Sequence, residues 1–189
     1  MNQDKRIHVI LDQKVSLIEV LNGNLILDIG GGGEGVIGLC YGERVVAIDP
    51  SKEELEEAAE GPLKVVMDSR NLLFLDNSFD IVTSFFTQMY INKADHEKVF
   101  EEIYRVLKKD GQFIMWDITI PKYNNGDKDI FVVKVKVETP LKLVETGYGV
   151  LWKNKEQSID YYLGLGSKTG FKVINKEIND QIFKIIFSK

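Results

Sequence analysis

The 189 residues include a single cysteine, Cys40. A lone cysteine closes no internal disulfide, and with no CxxC or Cys/His cluster nearby no structural metal site is expected. Prolines number only four, and neither a repeat nor a Pro/Ser-rich linker divides the chain, so 1–189 is expected to form one domain. A basic excess is also missing: 24 Lys and Arg against 29 Asp and Glu leave a net charge of −5. A protein that lives on phosphate contacts shows the opposite balance, which disfavours nucleic acid as the main partner. No apolar run is long enough to span a bilayer, and the first residues lack the apolar centre of a signal peptide. These absences imply a cytoplasmic, soluble monomer or homodimer with a reduced thiol and no membrane partner.

What is present is an alternation of short apolar runs with amphipathic stretches. Residues 24–29 (NLILDI), 44–48 (RVVAI), 63–67 and 79–85 (FDIVTSF) read as buried strands, and 112–118 as a fifth. Between them, Ser51 with Glu54 forms a capping box that opens a helix running to Gly61. A second helix is predicted over 93–109, with Val99, Phe100, Ile103, Val106 and Leu107 on one face and a Lys108-Lys109-Asp110-Gly111 ending. Strands separated by helices imply a doubly wound α/β fold with a mostly parallel sheet. After Pro121 the rhythm changes. Residues 131–137 alternate with period two and 142–152 look like their return partner, so 121–152 reads as a β-hairpin inserted after the fifth strand. A helix over 156–169 and strands at 171–176 and 181–188 end the chain and give the sheet an antiparallel edge.

Ligands of open α/β sheets bind beyond the carboxyl ends of the strands. The first strand ends here in Asp28-Ile29-Gly30-Gly31-Gly32-Gly33-Glu34-Gly35. Glycines let the backbone approach a ligand closely, and the following helix offers it free N–H groups. Gly30-x-Gly32-x-x-Gly35 satisfies the dinucleotide fingerprint, and Asp49 stands where that motif places its ribose-binding acid, about 20 residues on. A hydride-transferring NAD(P)-dependent oxidoreductase is therefore one reading. Against it, Asp28 precedes the first glycine, where a carboxylate repels pyrophosphate and favours an amine or sulfonium. Asp68, at the end of the third strand, adds an acceptor to the same crevice.

The stretches LDIGGGGEG (27–35), VVAIDPS (45–51), VVMDS (65–69), FDIVTSFF (79–86) and YRVLKKDGQFIMWD (104–117), in this order, resemble the class I S-adenosylmethionine-dependent methyltransferases of the small-molecule type. The resemblance implies a seven-stranded sheet with its last strand antiparallel, S-adenosylmethionine as methyl donor, and a small-molecule acceptor. It also implies roles. Asp28 orients the methionine amine, and Gly30 and Gly32 pass under methionine and ribose. Asp49 accepts the ribose hydroxyls and Pro50 packs on adenine. Asp68 and the Ser69 amide meet the adenine edge, and the region of Phe85 offers a carbonyl to the amine. One departure stands out: the third glycine of the family pattern is Glu34 here, with Gly35 one residue later, which implies a loop shifted by one residue.

Plainer roles fit other residues. Asp80 opens a strand and reads as a turn acid, and His8 and His96 as structural or solvent-facing. Tyr90, Tyr148, Trp152, Tyr161 and Tyr162 read first as core aromatics and second as pocket walls, and Cys40 as an inert core residue. Methyl transfer to a nucleophile needs alignment more than a protein base, so no catalytic residue is singled out, although Tyr90 and Tyr148 are the nearest candidates. The hairpin at 121–152 is expected to act as a substrate lid or as a dimer contact. A non-catalytic cofactor-binding domain is the third reading.

Overall fold

The computed structural model describes residues 3–18, 21 and 25–189. Among the described residues, ten strands and four α-helices follow one another. They are β1 (Ile7–Ser16), β2 (Ile26–Ile29), α1 (Val36–Tyr41), β3 (Val45–Asp49), α2 (Lys52–Glu57), β4 (Leu63–Val66), β5 (Phe79–Phe85), α3 (His96–Val106), β6 (Leu107–Ile118), β7 (Ile130–Glu138), β8 (Leu143–Leu151), α4 (Ile159–Thr169), β9 (Lys172–Asn179) and β10 (Ile182–Ser188). Seven strands form one sheet in the order β4-β3-β2-β5-β6-β10-β9. β4, β3, β2, β5 and β6 run parallel, and β10 pairs antiparallel with both β6 and β9. The antiparallel strand is thus the last in sequence, but it lies inside the sheet and β9 holds the edge.

The central strands are apolar on both faces because both are covered. On one side α3 lays down Val99, Phe100, Ile103 and Val106, all fully buried, against Val82, Phe113, Met115 and Tyr162. Burying each such side chain contributes about 1.5–3 kcal/mol. On the other side Val36 and Ile37 of α1 belong to one buried cluster with Ile81 and Phe85 of β5 and Ile114, Trp116 and Ile118 of β6.

A second sheet, β1-β7-β8, completes that face. Its alternating Phe131, Val133, Val135 and Val137 turn inwards as the period-two pattern predicted. The hairpin is not a free ribbon, however. β1 pairs parallel with β7, Ile7 opposite Ile130 and Ser16 opposite Glu138, so one of its two edges is covered by a strand that local pattern did not reveal.

Element ends differ in instructive ways. The strand read from residue 24 begins outside the described residues, and its described part is β2. Ser51 caps α2 by accepting from the Glu54 amide at 3.1 Å, but the helix stops at Glu57, since Ala58 is already extended. α3 ends at Val106 and not at Lys109. Leu107 pairs with Phe79 and Gln112 with Ile81, so Lys108–Gly111 bulges from the ladder with Asp110 left-handed at φ 62°. Asp80 takes the Leu25 amide at 3.0 Å and the Lys108 ammonium at 2.7 Å, the structural role expected of it.

Candidate functional site

The chain turns from β2 towards β3 in one direction and from β5 towards β6 in the other, so the strand order switches between β2 and β5. Such a switch opens a crevice at the carboxyl ends of the strands. The glycine loop fills its floor. The Gly30 and Gly31 amides both donate to Ile48 O, at 2.9 and 3.0 Å, and the Gly33 amide to Glu54 O at 2.8 Å, which ties the loop to β3 and α2. At two of its glycines a left-handed backbone and a close neighbour coincide. Gly30 has φ 73°, and a Cβ there would sit 2.3 Å from Thr87 Oγ1. Gly35 has φ 53° at the N-cap of α1, and a Cβ there would lie 3.0 Å from that of Ala58. The residue that starts the helix is therefore Gly35, and Glu34 before it is exposed on the turn.

Above the loop lies a cavity of about 860 Å³. Seven of the eight residues singled out in sequence border it: Gly30, Gly32, Asp49, Pro50, Asp68, Ser69 and Phe85. Asp28 does not. Its carboxylate is buried behind the loop, and Oδ1 accepts the Thr83 hydroxyl at 2.7 Å. Burial pushes its pKa up to about 7, against the pull of that hydrogen bond and with a smaller push from Asp49. Asp49 is half-buried and takes the Ser51 amide at 2.9 Å. Burial raises its pKa, while the Ser51 and Gly32 amides pull it back. Asp68 is held below the usual carboxylate range by Arg70, whose Nη2 lies 2.6 Å from Oδ2. Arg70 also reaches Asp95 at 3.2 Å, bridging the end of β4 to the start of α3.

The far wall comes from residues after β5 and from the hairpin. Phe86 adopts φ 51°, and the turn it makes lets the Thr87 hydroxyl donate to Ile29 O at 3.0 Å. The Phe86 ring stacks on Tyr148 of β8, with centroids 4.7 Å apart and planes 2° from parallel. The Gly149 amide donates to the Tyr90 hydroxyl at 3.1 Å, and Lys155 donates to the Tyr90 and Ile91 carbonyls at 2.8 and 3.0 Å. The Thr146 hydroxyl donates to Glu34 Oε1. Tyr90 and Tyr148 are therefore cavity walls, whereas Tyr162 and Trp152 are core. Phe86, Thr87, Arg70 and Glu54 border the cavity without any sequence signal that singled them out.

Other polar residues serve the scaffold. His96 is buried, and its Nε2 donates to Gln88 O at 3.0 Å, which leaves Nδ1 to accept from the Tyr161 hydroxyl. Burial lowers its pKa and keeps it neutral. Asp117, fully buried and pushed up to about 7 by burial, accepts from the Met89 amide and from Gln157. Both groups hold the 88–90 turn that carries Tyr90. The half-buried Cys40 thiol is pushed up to about 11, chiefly by burial. No His/Cys/Asp/Glu cluster suited to a metal is found among the described residues.

Residues 27–115, which run from β2 into β6, match the family described as "Methyltransferase domain". Over that stretch the chain is similar to this methyltransferase family. It is similar to a sterol 4-C-methyltransferase of Caenorhabditis elegans, 29% identical over 66% of this chain and 39% of the relative. It is also similar to a demethylmenaquinone methyltransferase of Thermotoga maritima, 31% identical over 67% and 57%. The chain thus spans about half the length or less of these curated relatives. In fold it is similar to a SAM-dependent methyltransferase of Methanosarcina mazei, with TM-score 0.66 and 17% identity over 90% and 94% of the two chains. β1 and the β7–β8 hairpin lie outside the matched span, so of the aromatic residues on the cavity wall Tyr148 comes from beyond it and Phe85, Phe86 and Tyr90 from within it.

Proposed function

We propose that the protein is an S-adenosylmethionine-dependent methyltransferase acting on a small molecule in the cytoplasm. The observation that carries this reading is the meeting of the glycine loop with Asp49 and Asp68, from the ends of two neighbouring strands, around one cavity. Its volume suits a drug-sized ligand and leaves room for an acceptor. The residues present fit the donor. Asp49 is placed to accept the ribose hydroxyls, with Pro50 beside the adenine and Asp68 and the Ser69 amide at its edge. Gly30 and Gly32 leave space under ribose and methionine, and the carbonyl of Phe85 faces the amine. Asp28 supports the loop from behind, with its carboxyl on the Thr83 hydroxyl, and does not itself reach the cavity.

The bound donor supplies an electrophilic methyl group. The chain's own work is to hold the acceptor in line with that methyl and to exclude water. Tyr148, Tyr90 and Phe86 form the wall that does so. The hairpin is a lid in this reading, fastened by Thr146 to Glu34 and by Gly149 to Tyr90. Calorimetric titration with S-adenosylhomocysteine, and in parallel with NADH, tests the assignment. Micromolar binding of the first and none of the second is expected. Binding of NADH alone makes the protein an oxidoreductase, and binding of neither leaves a non-catalytic domain.

A further inference from the structure

We propose that the methyl acceptor is an amine, cationic at neutral pH, and that Glu34 selects it; this rests on the cofactor reading above. Glu34 occupies the position where the loop pattern has glycine, and it borders the cavity on the side of the hairpin. There its carboxylate takes the Thr146 hydroxyl. The phenols of Tyr148 and Tyr90 stand near enough for its charge to raise the pKa of both, although burial is the larger cause in each. Tyr148 in turn stacks on Phe86. A carboxylate beside aromatic rings is the arrangement that recognises an ammonium group.

The charges around the cavity point the same way. Glu34, Asp49, Glu54, Glu57, Asp68 and Asp95 border it. Among the described residues the cation on its wall is Arg70, already paired with Asp68 and Asp95. The donor's net single positive charge leaves most of this negative potential in place. An acidic acceptor would enter without a partner and pay the desolvation of its charge. The Asp68–Arg70 end is also remote: β4 and β5 are three strand spacings apart, roughly 14 Å. The Glu34–Tyr148 end is therefore left for the acceptor.

Transfer requires the amine in its neutral form, since only that form carries a lone pair. The bound ammonium therefore first gives one proton to water at the mouth of the cavity, where Glu34 is exposed; the freed lone pair then forms the new N–C bond as the methyl C–S bond breaks, the electron pair of that bond stays on sulfur, and the product is the methylated ammonium.

Three probes of one shape and different charge test the proposal: 2-phenylethylamine, 2-phenylethanol and 3-phenylpropionate. Each is titrated into the full chain, with and without saturating S-adenosylhomocysteine, and followed by saturation-transfer NMR. The amine is expected to bind about tenfold tighter than the alcohol, with the carboxylate weakest. Glu34→Gln, with its folding checked by circular dichroism, is expected to weaken the amine about five- to tenfold and to leave the alcohol within about twofold. Equal binding of amine and carboxylate, equal loss of amine and alcohol in Glu34→Gln, or no binding of the amine would overturn it. Titration of S-adenosylhomocysteine alone keeps the two readings apart: its failure to bind overturns the cofactor assignment, while the charge preference remains readable in the empty cavity.

Discussion

Gly30 is the position where the account of the loop is most exposed to refutation. Gly30→Ala forces a Cβ into a residue with φ 73°, at 2.3 Å from Thr87 Oγ1, 2.4 Å from Cγ2 and 2.9 Å from Cβ. The left-handed conformation alone costs about 1–2 kcal/mol for alanine. The clash costs more, because Thr87 must swing away and lose its hydrogen bond to Ile29 O, worth about 1 kcal/mol, and the rearranged loop strains the turn at Phe86. The expected loss is about 3–4 kcal/mol of unfolding free energy, read by urea denaturation. Thr87→Gly removes every atom in the clash. On its own it costs about 2 kcal/mol, from the lost bond and added chain entropy. The double variant should then be only slightly less stable than Thr87→Gly, by the 1–2 kcal/mol of backbone strain, so the two changes couple by about 2 kcal/mol. Additive losses would show that Thr87 does not confront Gly30. A cost of Gly30→Ala below 1 kcal/mol would refute the loop geometry itself.

Other consequences follow from groups whose surroundings are equally explicit. Asp28 titrates at about 7 when folded and near 3.8 when unfolded, so the folded chain holds a proton that the unfolded chain releases. Its contribution to stability is complete below about pH 4 and lost as pH rises through 7; three units correspond to about 4 kcal/mol at most. Asp28→Asn should therefore be more stable than the parent at pH 8 and no more stable at pH 4.5, as chemical denaturation at the two pH values would show; Asp117, which titrates in the same range, cancels in the comparison. Tyr148→Ala should lose about 3 kcal/mol through the Phe86 stack and the emptied ring volume, without changing helix content by circular dichroism. Ser51→Ala should cost about 1 kcal/mol in thermal unfolding, because it removes the acceptor of the Glu54 amide.

How far the sequence reveals this structure depends on the range of the interactions involved. β2, β3, β5 and the second half of β6 are legible because both faces of the sheet are covered and each strand reads as an apolar run. α3 is legible because Val99, Ile103 and Val106 recur at helical spacing and all turn to the core. β1 is not, since its partner β7 lies more than 100 residues along the chain and its own residues mix charges with aliphatics. α2 ends early, at Glu57, where Ala58 turns extended beside Gly35, a neighbour no local pattern encodes. In the site, Asp49 and Asp68 were readable from their places after strands. Asp28 stands directly opposite Thr83 in the β2–β5 ladder, and the direction its side chain takes inside the sheet decides that it faces Thr83 and not the cavity. Phe86 and Thr87 depend on one positive φ, and Arg70 on two carboxylates from separate elements. The meaning of Glu34 emerges only with the hairpin in place.

In the proposed function Asp49 holds the ribose of a sulfonium donor in this cavity. The direct test is the affinity of Asp49→Ala for S-adenosylhomocysteine, measured beside the parent by calorimetry at equal folded fraction. Loss of two charge-assisted hydrogen bonds predicts binding at least about 30-fold weaker, equivalent to about 2 kcal/mol. Binding within about threefold of the parent, in a variant that melts as the parent does, would place the nucleoside elsewhere and contradict the account.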